Sequence, residues 1–126
     1  GRALFASGSP FSPVDYGNLQ FVPGQGNNAY IFPGVGLGVV ASRSTRVSDQ
    51  MFLAAARCLA EQVTEEDLER GLLYPPLSKI REVSAIIAAE VARIAWESGF
   101  AAADRPDDIL TFIKASMYQP VYPHYA

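Results

Sequence analysis

A single cysteine and a single histidine stand in 126 residues. Cys58 has no partner in the chain for an internal disulfide. It fits a reducing compartment and reads as a small apolar group on a helix. His124 alone makes neither a metal site nor a catalytic triad, so it reads as a surface residue. Charge of one sign is also missing: ten basic residues are scattered among thirteen acidic ones, for a net charge of −3. With no basic stripe, nucleic acid is not an expected partner. No run reaches the ~18 apolar residues of a membrane span. The most apolar run, Ala29 to Ala41, is too short and is broken by glycines, so no membrane partner is expected either. The charged-then-apolar pattern of a signal peptide is absent from the N-terminus. Ser7 and Ser9 flank a glycine without forming the G-x-S-x-G nucleophile elbow. The acids Glu65, Glu66 and Asp67, and Asp104, Asp107 and Asp108, lack the alternating oxygen ligands of a calcium loop and read as solvated helix-start and loop acids. There is no repeat and no low-complexity segment.

What is present is enough apolar residue, 49% of the chain, to bury one core and to argue against disorder. The length allows one domain at most. Leu4-Phe5-Ala6, ended by Ser7-Gly8-Ser9-Pro10, reads as a buried strand running into a loop. Small polar residues at a strand's carboxyl end mark the place where α/β sheets hold ligands. Val14 to Val22 reads as a hairpin about Gly17-Asn18. Asn28 to Ala41 predicts a helix with Pro33 in its first turns, where proline is tolerated. Gly34, Gly36 and Gly38 are costly there unless another backbone packs closely. Ser48 is expected to cap a helix to about Gln62, with Met51, Phe52, Ala55, Leu59 and Val63 on one side. Thr64 opens a short helix with acids in its first turn, ended by Gly71. Tyr74-Pro75-Pro76-Leu77 is an extended connector. Ser78 is expected to cap the clearest helix, Lys79 to Ser98. There Ile80, Val83, Ile87, Val91 and Ile94 recur at helical spacing, Arg93 can pair with Glu97, and Gly99 closes the helix. Asp107 to Tyr118 gives a last amphipathic helix with Ile109, Phe112 and Ile113.

The most informative segment is Gly24-Gln25-Gly26-Asn27-Asn28. Asn at a helix start caps free backbone N–H groups. One carboxamide suffices for that, and each offers both a donor and an acceptor. The pair therefore reads in two ways: a cap beside an idle Asn, or a cap beside an Asn that holds a polar ligand. Gly36-Leu37-Gly38-Val39-Val40-Ala41 formally matches the G-x-G-x-x-A dinucleotide pattern. It follows no strand, and its nearest acid, Asp49, comes too soon, so close helix packing is the better reading. Trp96 reads as core or subunit contact. Tyr118, Tyr122 and Tyr125 read as either an interface anchor or a loosely packed tail.

Together, Gly1-Arg2-Ala3-Leu4-Phe5-Ala6-Ser7-Gly8-Ser9-Pro10-Phe11 and Phe21-Val22-Pro23-Gly24-Gln25-Gly26-Asn27-Asn28 resemble the C-terminal part of malic enzyme. Phe32-Pro33-Gly34-Val35-Gly36-Leu37-Gly38, Leu72-Leu73-Tyr74-Pro75-Pro76-Leu77 and Ile80-Arg81-Glu82-Val83-Ser84 follow in the family's order. Met117-Tyr118-Gln119-Pro120-Val121-Tyr122 resembles its tail. The resemblance implies an α/β fold: the C-terminal part of a Rossmann-like NAD(P)-binding domain plus closing helices, mostly helical with a few short strands, across residues 1–126. It implies oxidative decarboxylation of malate to pyruvate with NAD or NADP and Mg²⁺ or Mn²⁺. The metal ligands, the catalytic Tyr and Lys and the main glycine motif lie upstream in the family, so the piece alone is expected to be inactive. By the same resemblance Asn27 and Asn28 face the active site, one toward malate and the other toward the nicotinamide in an order left open, so both are substrate candidates, and Asn27, Ser7 and Gly8 are the cofactor candidates. Expected partners are malate, NAD(P), the rest of the malic enzyme chain and further copies in a homo-oligomer. The compartment is cytoplasm, plastid or mitochondrial matrix. The other class of function is a non-catalytic helical module for oligomerisation, which would win if the reading frame began at Gly1. A start without Met favours an excised or cleaved piece.

Overall fold

A computed structural model describes residues 3–121. Four short strands precede five helices. β1 (Ala6–Ser7) pairs in parallel with β4 (Gly24–Gln25), in the register Ala6 to Gly24 and Ser7 to Gln25. Between them, β2 (Val14–Tyr16) and β3 (Leu19–Phe21) form the expected antiparallel hairpin. Gly17 takes φ +64°, the positive angle needed at the first position of a II′ turn.

After β4 a 3₁₀ turn, Asn28–Tyr30, leads into α1 (Phe32–Ser42). The break at Ile31 follows from Pro33, which has no N–H to give to the preceding turn and is tolerated only in the first turn of the new helix. α2 (Asp49–Glu61), the short α3 (Glu65–Glu69), α4 (Ile80–Glu97) and α5 (Ile109–Ser116) complete the chain. The described residues therefore mix helix with short strands, and helix dominates.

α4 is the axis of the core. Val83, Ile87 and Val91 are at most 1% exposed and pack with Tyr30, Val35, Met51, Ala55 and Leu59 from α1, α2 and the turn before α1. Its other side carries Ala85, Ala88 and Ala92, which meet Ile113 of α5. The heptad-like run of large residues predicts only the first of these faces. The second is made of alanines, whose smallness lets α5 and α1 approach.

Two of the three α1 glycines are explained by that approach. A Cβ on Gly34 would lie 2.7 Å from Ile87 Cβ, and one on Gly38 would lie 2.6 Å from the Ala88 carbonyl oxygen. Gly36 faces open space. The G-x-G-x-x-A run is thus interior helix, with one glycine used for packing. Below Gly38, Ser42 is fully buried and its hydroxyl donates to the Gly38 carbonyl at 2.7 Å.

Several local expectations are corrected. Leu4 and Phe5 are 51% and 56% exposed, and the strand begins only at Ala6. A two-stranded pair is too narrow to cover them, and Phe5 packs edge-on against Phe11. Ser48 sits at the start of α2, but its hydroxyl makes no cap bond and has no partner among the described residues; the first turn closes through Met51 N–H to the Ser48 carbonyl. Phe52 is exposed while Met51, Ala55 and Leu59 are buried, because only the narrower stripe meets α4. Ser78 lies inside a 3₁₀ turn, Leu77–Lys79, that runs straight into α4, so it does not cap. Asp67 is not solvated: it is 7% exposed and forms a reciprocal capping box with Thr64. The Thr64 hydroxyl and backbone N–H hold its carboxyl below the usual range. Asp108 likewise caps α5 through Thr111. Arg93 pairs with Glu97 as expected, and also with Glu90. Trp96 donates its indole N–H to the Ala103 carbonyl and stands edge-on to Phe112, a core role. Tyr118 is 77% exposed; Tyr122, His124 and Tyr125 lie outside the described residues.

Candidate functional site

The parallel pair β1–β4 sends both chains out at the same edge. Gly24 N–H donates to the Phe5 carbonyl at 3.3 Å and Gly26 N–H to the Ser7 carbonyl at 2.8 Å. Ser7-Gly8 and Gly26-Asn27-Asn28 are therefore neighbours at the carboxyl ends of parallel strands, the position where α/β sheets bind ligands. Side chains tighten the junction. Gln25 Nε2 donates to the Gly8 carbonyl at 3.1 Å, and Asn27 Nδ2 reaches the same oxygen at 3.5 Å. The Ser7 hydroxyl accepts from Ser9 N–H at 3.4 Å. Gln25 was not singled out from the sequence. Its place in the glycine-flanked block was the available signal, and only the fold brings Gly8 to it across seventeen residues.

The two carboxamides take different roles in the local structure. Asn27 Oδ1 accepts from Ala29 N–H at 2.9 Å and caps the 3₁₀ turn. Both ends of its side chain are thus engaged by backbone. Asn28 is exposed, and its carboxamide makes no hydrogen bond among the described residues. It borders a cleft of about 430 Å³, with Gly26 and Asn27 on one wall and Ile31, Leu59 and Tyr74 among the apolar lining. Mostly apolar walls with a few convergent polar groups are the usual make-up of a small-molecule site.

The floor beneath the loop is aromatic. Tyr30 is buried, stacks on Tyr74 with ring centres 5.5 Å apart, and donates its hydroxyl to the Pro75 carbonyl. Burial pushes the Tyr30 phenol up, with a smaller push from Tyr74 beside it, so it stays a neutral donor.

Other chemistry-bearing groups lie apart from this junction. A groove of about 910 Å³ runs along α2, α4 and α5. Within it Glu90, Arg93 and Glu97 are paired with one another. Cys58 also lines the groove; burial and then Glu90 and Glu61 push its thiol up, away from a reactive thiolate. Among the described residues no three of His, Cys, Asp or Glu gather as metal ligands. No helix of the described residues is long and apolar enough to cross a membrane.

The chain is similar to known proteins along nearly its whole length. Residues 1–96 match the family described as malic enzyme, NAD binding domain. Over 99% of its length the chain is 55% identical to an NADP-dependent malic enzyme of Vitis vinifera, of which it covers 21%. It is 56% identical to one of Populus trichocarpa over the same shares, and 52% identical to a chloroplastic one of Zea mays, of which it covers 20%. The chain thus spans about a fifth of the length of the curated relatives it matches. The glycine-flanked carboxamide loop, the two α1 glycines seated on α4 and the Tyr-Pro-Pro connector all fall inside the matched region. The chain belongs to the malic enzyme family, its residues 1–96 corresponding to that family's NAD-binding domain.

Proposed function

We propose that this chain is the C-terminal segment of an NADP-dependent malic enzyme, comprising the end of a Rossmann-like NAD(P)-binding domain and the helices that close it. The whole enzyme oxidatively decarboxylates malate to pyruvate and CO2. The names of these relatives support NADP, and three of the matched plant enzymes are described as chloroplastic, which supports a plastid among the compartments.

In this reading the junction at the ends of β1 and β4 positions reactants. Bound NADP supplies the hydride acceptor and a divalent metal the Lewis acid. Asn28, whose carboxamide is unengaged among the described residues, faces malate and orients its C2–H. Asn27, Ser7 and Gly8 form the cofactor side: Asn27 keeps a second amide hydrogen beyond the one given to Gly8, and Gly8 leaves room for close approach, with only the Gly26 carbonyl, at 3.9 Å, near a would-be Cβ. A carboxamide does not titrate, so its contribution is orientation rather than proton transfer. The metal would draw its carboxylate ligands from elsewhere in the enzyme, since the described residues gather none. Assembly into a homo-oligomer belongs to the same reading.

The observation that carries the proposal is the Asn28 carboxamide, without a hydrogen bond among the described residues, beyond the carboxyl edge of a parallel strand pair. Malate-dependent NADPH formation by the intact enzyme tests it. Asn28→Ala is expected to lower kcat/KM for malate about ten- to a hundredfold, the loss of one ligand-facing hydrogen bond. Unchanged kinetics would overturn the assignment.

A further inference from the structure

Among the described residues, the side chains of the Gln25–Asn28 segment reach beyond their own turn only to the Gly8 carbonyl, on another exposed loop. Yet a specific aromatic surface lies against it. A Cβ added to Gly26 would stand 3.1 Å from the Tyr74 hydroxyl and 3.2 Å from ring atoms Cε2 and Cζ. At Gly24 the nearest ring atom, Cδ2, would be 3.5 Å away. The Tyr74 ring therefore runs along the backbone from Gly24 to Gly26, with its hydroxyl end nearest the asparagines.

The ring is itself fixed. It stacks on Tyr30 at an interplanar angle of 20°. Tyr30 is 2% exposed, and its hydroxyl is tied to the carbonyl of Pro75, the residue that follows Tyr74. Pro75 is fully buried and has a fixed φ, which limits how the connector can move. Tyr30 ends the same 3₁₀ turn that Asn27 caps and Asn28 begins. The two rings thus bracket the backbone that carries Asn27 and Asn28: Tyr74 lies against Gly26 on one side, and Tyr30 ends the turn on the other.

We infer that Tyr74 is a positioning residue: its ring, clamped between Tyr30 and the Gly24–Gly26 backbone, sets where the Asn28 carboxamide stands over the cleft. This rests on the proposed role of Asn28. Glycine at position 26 is then required because the ring occupies the space of a side chain. The ring surface carries the effect, and the hydroxyl is dispensable, since it makes no hydrogen bond among the described residues.

The test uses the intact malic enzyme with malate and NADP, assayed well below the melting temperature. Tyr74→Leu is expected to lower kcat for malate about ten- to a hundredfold per folded active site, as small misplacement of an orienting group does. Tyr74→Phe is expected to restore it to within about twofold of wild type. Gly26→Ala, which pushes on the ring from the other side, should give a loss of the same order as Tyr74→Leu. Combined with Tyr74→Leu, which makes room for the added methyl, it should cause less loss than the product of the two single effects. Wild-type kcat in Tyr74→Leu, loss in Tyr74→Phe equal to that in Tyr74→Leu, or fully multiplicative losses would each overturn the clamp. Should Tyr74→Leu fail to fold, wild-type kcat in Gly26→Ala would overturn it alone. Asn28→Ala run alongside separates the two ideas. If it alone keeps wild-type kinetics, the Asn28 assignment fails and the clamp fails with it; if it loses activity while both Tyr74→Leu and Gly26→Ala keep theirs, only the clamp fails.

Discussion

Adjacent residues of one type can have separable jobs, and Asn27 and Asn28 are such a pair. Asn27 spends its oxygen on Ala29 N–H and an amide hydrogen on the Gly8 carbonyl. Asn27→Ala is therefore expected to cost about 1 kcal/mol of stability, the usual loss of an N-cap, in addition to any kinetic effect. Asn28 spends nothing within the described residues, so Asn28→Ala should leave stability within about 0.5 kcal/mol while lowering kcat/KM. Thermal melts and malate kinetics of both variants in the intact enzyme check this. A lower melting point for Asn28→Ala than for Asn27→Ala would reverse the assignment. That one carboxamide was a cap was legible in the sequence. Which one was not, because the choice depends on the backbone direction at Ile31 and on where Gly8 lies.

At the scale of elements, the α1–α4 contact invites a paired measurement. Gly38→Ala places a methyl 2.6 Å from the Ala88 carbonyl oxygen and 2.8 Å from Val91 Cβ, so the helices must separate. Overpacking of this kind costs about 1–3 kcal/mol, more than the roughly 1 kcal/mol gained by replacing a helical glycine. Gly36→Ala meets nothing within 4 Å and gains the propensity term alone. Calorimetric melting should therefore move in opposite directions for two glycines two residues apart. Equal shifts would mean that the close packing of α1 on α4 does not control stability. The glycine-rich run predicted close packing somewhere; only the rotation of α1 against α4 decides that Gly34 and Gly38 face in and Gly36 faces out.

The whole molecule adds a dependence on acid. Glu90 is bonded to Arg93 at 2.7 Å, and that bond holds its carboxyl below the usual range against the opposing effect of burial. A lowered folded value means the Glu90 contribution is complete above the ordinary glutamate range, about pH 4.3, and disappears as pH falls through the lower folded value. Glu90→Gln should thus reduce the melting temperature at pH 7, and the gap from wild type should narrow as pH falls below the ordinary glutamate range. A gap that does not narrow at all on acidification would remove the ion pair as its cause. The same scale sets what the chain does alone. Leu4, Phe5, Phe11, Val14, Tyr16 and Leu19 are all more than half exposed around the two small sheets. Contiguous apolar surface of this kind drives association. Residues 1–126 by themselves are expected to sediment as oligomers, to bind hydrophobic dyes and to show no malate-dependent NADP reduction. A sharp monomer with a cooperative melt, or NADPH formed above background, would contradict this.

The sequence by itself determined the order of the hairpin and the five helices but not the strand at Gly24–Gln25, because the former depend on local terms: the 3.6-residue period of α4, the turn glycines Gly17, Gly71 and Gly99 with their positive φ, and the proline that delays α1. It did not determine which serines cap, since Ser48 and Ser78 stand where capping residues stand but the backbone closes both turns without them. Nor did it decide how deep the first strand lies, because burial of Leu4 and Phe5 depends on neighbours rather than on their own hydrophobicity. The meeting of Ser7-Gly8 with Gly26-Asn27-Asn28, and of both with the Tyr30–Tyr74 pair, was decided by tertiary structure alone. Parallel pairing joins segments with a hairpin between them, and no local term in either segment specifies the register.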